Sequence, residues 1–278
     1  MQAARTALRL AGAAALLSLA QACEPSAPGP APVQKGVGAE ASLEQGYVSP
    51  PELLQVARQP DHRLEIAGRA RPRARVRLAT PGGGAEFAQA DGQGIWRLVS
   101  PVPSSPQLLG LSMSDRGRVL QAPGYILLTP DGTAARLRAG GGSQAAGRPQ
   151  GALAITVLDY DAMFAATLSG QGGEGQPVSL RIDGLERGRA SGGREGRFVL
   201  SVNQPLTPGA HAFELVSGGA QTRTTAVVTA PAPLAGAPFR AWRTAEGWRI
   251  DWLTPGGGEQ TTLLFAPRPP AAAQAPPP

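Results

Sequence analysis

Three observations predict an all-β chain. Apolar and polar residues alternate at period 2 in segment after segment, Gly/Pro turn signals fall between the segments, and the pattern recurs at an offset of 102 residues. Alternation marks strands with one buried face. Many short strands divided by such turns build a sandwich or a barrel. Past residue 22 no segment carries a sustained helical stripe. The predicted organisation is two tandem β-domains at 61–140 and 150–232, a Trp-rich β-meander at 236–266, a disordered tether at 23–60 and a disordered tail at 267–278.

The first 22 residues have the layout of a secretory signal. Arg5 and Arg9 supply positive charge, Leu10 to Ala20 is almost wholly apolar, and a small residue, Ala22, ends the segment. The apolar run is about half the roughly 20 residues that a membrane-spanning helix needs. Leu19-Ala20-Gln21-Ala22-Cys23 resembles a bacterial lipobox, with Ala20 where that family usually has Leu. The resemblance implies cleavage before Cys23 and acylation of its thiol, so that a lipid holds the chain on a membrane. Cys23 is the only cysteine. Glu24 follows it in place of the Asp that usually retains such proteins at the inner membrane, so the expected location is the outer membrane, on its periplasmic side or at the surface. The alternative is a soluble secreted or periplasmic protein with an incidental Cys23.

Removing Arg5 and Arg9 with the signal lowers the formal net charge from +6 to +4. Every basic residue but Lys35 is an arginine. A basic balance suits an anionic partner, but Ala, Gly and Pro are raised together with Arg, and the arginines read as scattered. Compositional bias is the expected cause, and no nucleic-acid partner is expected. From Glu24 to Pro60 the chain is rich in Pro, Ala, Gly and Ser and has too little apolar surface to order itself. Pro51 to Ala57 at its end reads as one or two helical turns.

The strands follow in order. Arg75-Val76-Arg77-Leu78, Leu153 to Val157, Val178 to Ile182, Phe198 to Val202 and Trp248 to Trp252 all alternate. At offset 102, Ile66 meets Leu168, Gly68 meets Gly170, Val76 meets Val178, Leu78 meets Leu180, Gly94 meets Gly196, Trp96 meets Phe198 and Leu98 meets Leu200. The matched positions are inward-facing residues and turn glycines, as expected of one fold used twice. Val76, Leu78, Trp96 and Leu98 should share one core, and Val178, Leu180, Phe198 and Leu200 another. Ala139-Gly140-Gly141-Gly142-Ser143 is read as the joint between the domains.

The segments Leu64 to Ala70, Val76 to Leu78 and Asp91 to Leu98, with their second copies, resemble bacterial immunoglobulin-like repeats. The resemblance implies two tandem Ig-like β-sandwich domains with spacer or adhesion roles and no catalysis. Where that family often has Pro-Gly-Ala in its first turn, this chain has Pro72-Arg73-Ala74, and the second copy keeps Gly175 opposite Arg73. If the position needs φ > 0, Arg73 is strained.

Three of the four tryptophans, Trp242, Trp248 and Trp252, lie in the meander. They form either an aromatic binding surface for glycan or protein, or a hydrophobic face docked on the second domain. In a strand Trp248, Ile250 and Trp252 share one face, which leaves Arg249 and Asp251 directed to solvent. Catalytic constellations are missing from the sequence. His211 reads as half-buried structure, and His62 stands beside Asp61 with no second histidine at ligand spacing. Asp159 and Asp161 offer too few oxygens for calcium. No enzyme, cofactor or metal is expected. The reading is a non-catalytic cell-envelope lipoprotein, held on the membrane by its N-terminal lipid, that acts as a spacer or protein-interaction module. The alternative is a module that binds peptidoglycan or polysaccharide through the tryptophans.

Overall fold

The computed structural model describes residues 48–147 and 152–266. The signal, Cys23, most of the tether, the start of the second predicted domain and the tail at 267–278 lie outside the described residues. The described residues form one compact unit. Among the described residues there is no α-helix.

The first sandwich pairs β1 (Glu52–Arg58), β2 (Arg63–Arg69) and β5 (Ile95–Pro101) in one antiparallel sheet. The opposite sheet holds β4 (Ala85–Gln89), β3 (Arg75–Ala79), β6 (Gln107–Asp115), β8 (Tyr125–Leu128), β9 (Ala134–Leu137) and β10 (Gln144–Ala145), with β7 (Arg118–Gln121) on the far half of β6. The chain changes sheets after β2, β4 and β5, so neither sheet can slide free of the other. Leu64, Ile66, Val76, Leu78, Trp96, Leu109, Leu111 and Met113 fill the space between, with Leu98 half-buried against them.

The second sandwich repeats this plan in register. β11 (Ala154–Asp161), β12 (Ala166–Gln171) and β15 (Arg197–Ser201) match β1, β2 and β5. β14 (Leu185–Ser191), β13 (Pro177–Ile182), β16 (Gly209–Ser217) and β17 (Ala220–Val228) form the facing sheet. Its core holds Leu168, Val178, Leu180, Phe198, Leu200, Phe213 and Leu215. Even irregular features recur at 102: the β1–β2 ladder shifts register between Leu53 and Gln55, and the β11–β12 ladder between Ile155 and Val157. A Cβ on Gly68 would lie 2.0 Å from the Glu52 carbonyl oxygen and 2.3 Å from the Trp96 ring. On Gly170 it would lie 2.4 Å from both the Ala154 oxygen and the Phe198 ring. Glycine is therefore required at both places by the aromatic ring packed across it.

That bulge explains one correction. Pro51 to Ala57, expected as helical turns of the tether, contributes most of strand β1. Leu53 and Val56 both pack toward the core although they are three residues apart, because the extra residue resets the strand's alternation. Spacing of three resembles a helix. The glycine-rich stretch at 139–143 is likewise a turn between β9 and β10 of the first sandwich, not the joint.

The turn before β3 holds Arg73 at φ 62, where Gly175 in the second copy has φ 72. At the β6–β7 turn Arg116 has φ 49, where Gly218 has φ 54. A left-handed conformation costs a residue with a Cβ about 1–2 kcal/mol. The same turns exist in an unstrained form elsewhere in this molecule.

His211 is buried, and both of its ring nitrogens face acceptors: Nδ1 is 2.6 Å from Asp183 Oδ2 and Nε2 is 2.7 Å from the Thr207 carbonyl. Two acceptors require both nitrogens to carry protons. Burial opposes the charge, but the Thr207 and Asp183 bonds outweigh it and raise the pKa above the ordinary value. A raised folded pKa gives stability that is complete below the unfolded pKa near 6.5 and is lost as pH rises through the folded value. Raising the pH from mildly acidic to alkaline should lower the melting temperature of the second sandwich. In His211→Leu, which copies Leu109 of the first sandwich, that slope should be flat; an unchanged slope would remove His211 as its source.

Candidate functional site: the domain junction

The meander is β18 (Phe239–Arg243), β19 (Gly247–Leu253) and β20 (Glu259–Phe265). β20 pairs with the free edge of β11 from Val157↔Leu264 to Asp161↔Gln260. The second sandwich's sheet thereby runs β15-β12-β11-β20-β19-β18. The meander joins the second domain through its sheet edge, which leaves the two faces of β19 to be covered separately.

One face carries Trp248, Ile250 and Trp252, as expected, but it docks on the first sandwich instead of the second. It clusters with Leu108, Leu127, Ala135 and Leu137 from β6, β8 and β9, and with Val157 and Leu264 beside it. Trp252 is fully buried, meets Tyr125 edge-on at 5.8 Å and donates Nε1–H to Thr262 Oγ1 at 3.1 Å. The cause is sheet continuity: once β20 extends the second domain's sheet, that sheet's outer face is the one turned toward the first sandwich.

The other face corrects a second expectation. Arg249 and Asp251 are buried, at 6% and 0% exposure, and not directed to solvent. Arg249 Nε lies 3.0 Å from Asp251 Oδ1, and its Nη2 donates to the Thr229 and Ala230 carbonyls at 3.2 and 3.0 Å. Asp251 also accepts from Thr261 Oγ1 at 2.7 Å and from the Ala232 amide at 2.8 Å. The pair thus pins the chain that leaves β17 to the meander.

Polar ties border the apolar seam. Asp131, in the β8–β9 turn of the first sandwich, accepts from Trp248 Nε1 at 3.1 Å and Arg243 Nη1 at 2.9 Å. Burial works against its charge, yet bonds from Thr129, Thr133 and Trp248 hold its pKa down to about 2. On the other side Gln260 bridges the domains, accepting from the Gly140 amide at 3.0 Å and donating to the Arg138 carbonyl at 2.9 Å. Asp159 accepts from the Ser143 amide at 2.8 Å and Thr262 Oγ1 at 2.6 Å. Desolvation pushes its pKa up against those bonds. Asp161 caps its own turn through the Met163 and Ala165 amides. The two carboxylates therefore do not converge, and no group of three or more His, Cys, Asp or Glu among the described residues could hold a metal ion.

The three candidate tryptophans do not form a common exposed surface. Trp248 and Trp252 are inside the seam, and Trp242 alone reaches solvent, at 36% exposure, with the Arg240 and Arg249 guanidinium groups 5.8 and 5.3 Å from its ring. Sequence reasoning missed Asp131, Gln260 and the joining role of Asp159, whose bonds across the seam reach residues more than 15 positions away. One signal was present. Tyr125-Ile126-Leu127-Leu128 is an unbroken apolar run, the mark of a strand covered on both faces.

Sheet order and core define an all-β protein of two tandem Ig-like sandwiches fused by a C-terminal meander. No protein-family profile matches the chain, and no curated protein matches it. Among solved structures it is similar to invasin, a bacterial integrin-binding protein, with 11% identity over 77% of this chain and a TM-score of 0.21. It spans 54% of that invasin chain. It is also similar to the central fibronectin-III array of RIM-binding protein, with 10% identity over 78% of this chain and 89% of that one and a TM-score of 0.24.

Proposed function

We propose that this chain is a non-catalytic cell-envelope lipoprotein, anchored through acylated Cys23 at the outer membrane, whose fused sandwiches act as a rigid spacer and protein-interaction module. The seam carries this reading. A meander that spends two tryptophans, an isoleucine and a buried ion pair on joining two domains serves geometry. A flexible pair of beads would need none of it. The polar groups that could have done chemistry are engaged structurally: His211 bridges two acceptors, and Asp159 and Asp251 each accept from several donors. Burial of Trp248 and Trp252 weighs against the glycan-binding alternative, which needs them in solvent.

The test is acylation. Cys23→Ser should abolish fatty-acid labelling and move the protein from the membrane pellet to the soluble periplasm when cells are fractionated in high salt, which screens surface charge. Unchanged fractionation of that variant would reject the anchor.

A further inference from the structure

The positive charge is not spread evenly. Residues 48–147 carry twelve Arg and seven Asp or Glu, whereas 152–266 carry nine Arg and ten acids. The arginines that read as scattered are gathered by the fold at one pole of the first sandwich. Arg69 ends β2 opposite Glu52, Arg71 and Arg73 form the turn to β3, and Arg75 opens β3 opposite Ser114. Arg116 and Arg118 form the tip of the β6–β7 hairpin, and Arg71 reaches it through Asp115 at 3.0 Å. Five of these six are exposed and Arg71 is partly so. Glu52, Asp91 and Asp115 are the acids beside them. Asp91 is occupied with the Gln93 and Ile95 amides.

The second sandwich shows that the fold does not ask for these arginines. At offset 102 the six positions are Gln171, Gly173, Gly175, Pro177, Gly218 and Ala220, none of them charged. Two of the six, Arg73 and Arg116, stand at φ 62 and 49, where the second copy has glycine. Arginine is thus kept at two positions against the backbone's own preference. An ion pair would explain one of them structurally, but neither is in a salt bridge among the described residues.

We propose that this pole is a docking surface for an anionic, phosphate-bearing lipid surface. Three observations favour lipid over a folded partner. The pole is built from turns, and the cavity that reaches it at Glu52 is lined also by Arg136, Gln144, Glu195 and Arg197, a charged wall that does not suit an apolar anchoring side chain. Its exposed aliphatic residue, Val119, at 67% exposure, sits directly after Arg118, and an apolar tip ringed by cations suits a headgroup layer. The chain also enters the sandwich here: β1 begins at Glu52 on the same pole, 29 residues after Cys23. The inference rests on the proposed membrane anchor, which would bring a lipid surface within reach of the sandwich.

The test uses the mature chain with Cys23→Ser, so that no acyl group contributes. It is mixed at low salt with vesicles of phosphatidylcholine alone, or of phosphatidylcholine with phosphatidylglycerol, and sedimented. Binding is expected to the second only and to vanish in high salt. Arg73→Gly, Arg116→Gly and Arg118→Ala together install the residues of the second copy. That variant should melt at the same or a higher temperature, because strain is relieved, and should bind the anionic vesicles on the order of 100-fold more weakly, at about fivefold per arginine. Equal binding to both vesicles, or undiminished binding by the variant, overturns the proposal. So does a wild-type chain that ignores both vesicles, including one that binds a soluble acidic polysaccharide instead. Loss of vesicle binding with intact labelling of Cys23 refutes the pole alone, and the reverse result refutes the anchor alone.

Discussion

Arg249→Met should destabilise the protein by about 3–5 kcal/mol, the cost of leaving one member of a buried ion pair without its partner. The substitution strips Asp251, at 0% exposure, of its cation and leaves it the Thr261 hydroxyl and the Ala232 amide. It also removes the donor to the Ala230 carbonyl and one of two donors to the Thr229 carbonyl, which keeps the Tyr160 hydroxyl. Thermal or urea unfolding measures the loss. The double variant Arg249→Met/Asp251→Leu separates two explanations. If the penalty is mainly the orphaned carboxylate, the double variant should recover most of it, since apolar replacements of buried pairs are often neutral or better. If the double variant is as weak as the single, the lost bonds to the segment that leaves β17, above all to the Ala230 carbonyl, carry the energy.

Trp252→Ala should cost about 3–5 kcal/mol, in the range for deleting a large buried aromatic, and should change the form of unfolding as well as its midpoint. The Trp252 ring belongs to a cluster drawn from both sandwiches. While the cluster is intact, unfolding either sandwich exposes part of the other's surface, so the two transitions should nearly coincide. With the ring gone they should separate, the first sandwich losing its cover over Leu127 and Leu137 and the second keeping β20 on the edge of β11. Calorimetry with Phe198→Ala as a control confined to the second core distinguishes the two. A Trp252→Ala protein that still melts in one transition at the wild-type temperature would mean that the seam is not what fuses the domains. Removing residues 236–278 altogether should separate the transitions further, because β11 then also loses its strand partner.

The class of the fold was legible because it rests on local rules. Period-2 alternation, turn glycines and a repeat at constant offset survive in one dimension, and they placed Val76, Trp96, Val178 and Phe198 in their cores. Gly68 and Gly170 were visible as a matched pair before the ring packed against each could be known. The strain expected at Arg73 was likewise legible, from a single Gly/Arg mismatch between copies.

What the sequence by itself determined is therefore the strand-built chain, its duplication and the sidedness of strands with one wet face. What only the tertiary structure decided is which surfaces meet. Alternation tells two faces apart but names no partner for either, so Trp248, Ile250 and Trp252 were correctly grouped and assigned to the wrong domain. The rule also fails where both faces are covered. In β19 the polar residues are as buried as the apolar ones, because Arg249 and Asp251 neutralise each other and bond to the chain that leaves β17. The bulge at Leu53–Gln55 hid a strand by shifting its period, and the arginine run at 69–75 gains Arg116 and Arg118 as neighbours only because two turns meet at one pole. Each of these depends on distance in space between residues remote in sequence, and no local pattern encodes that distance.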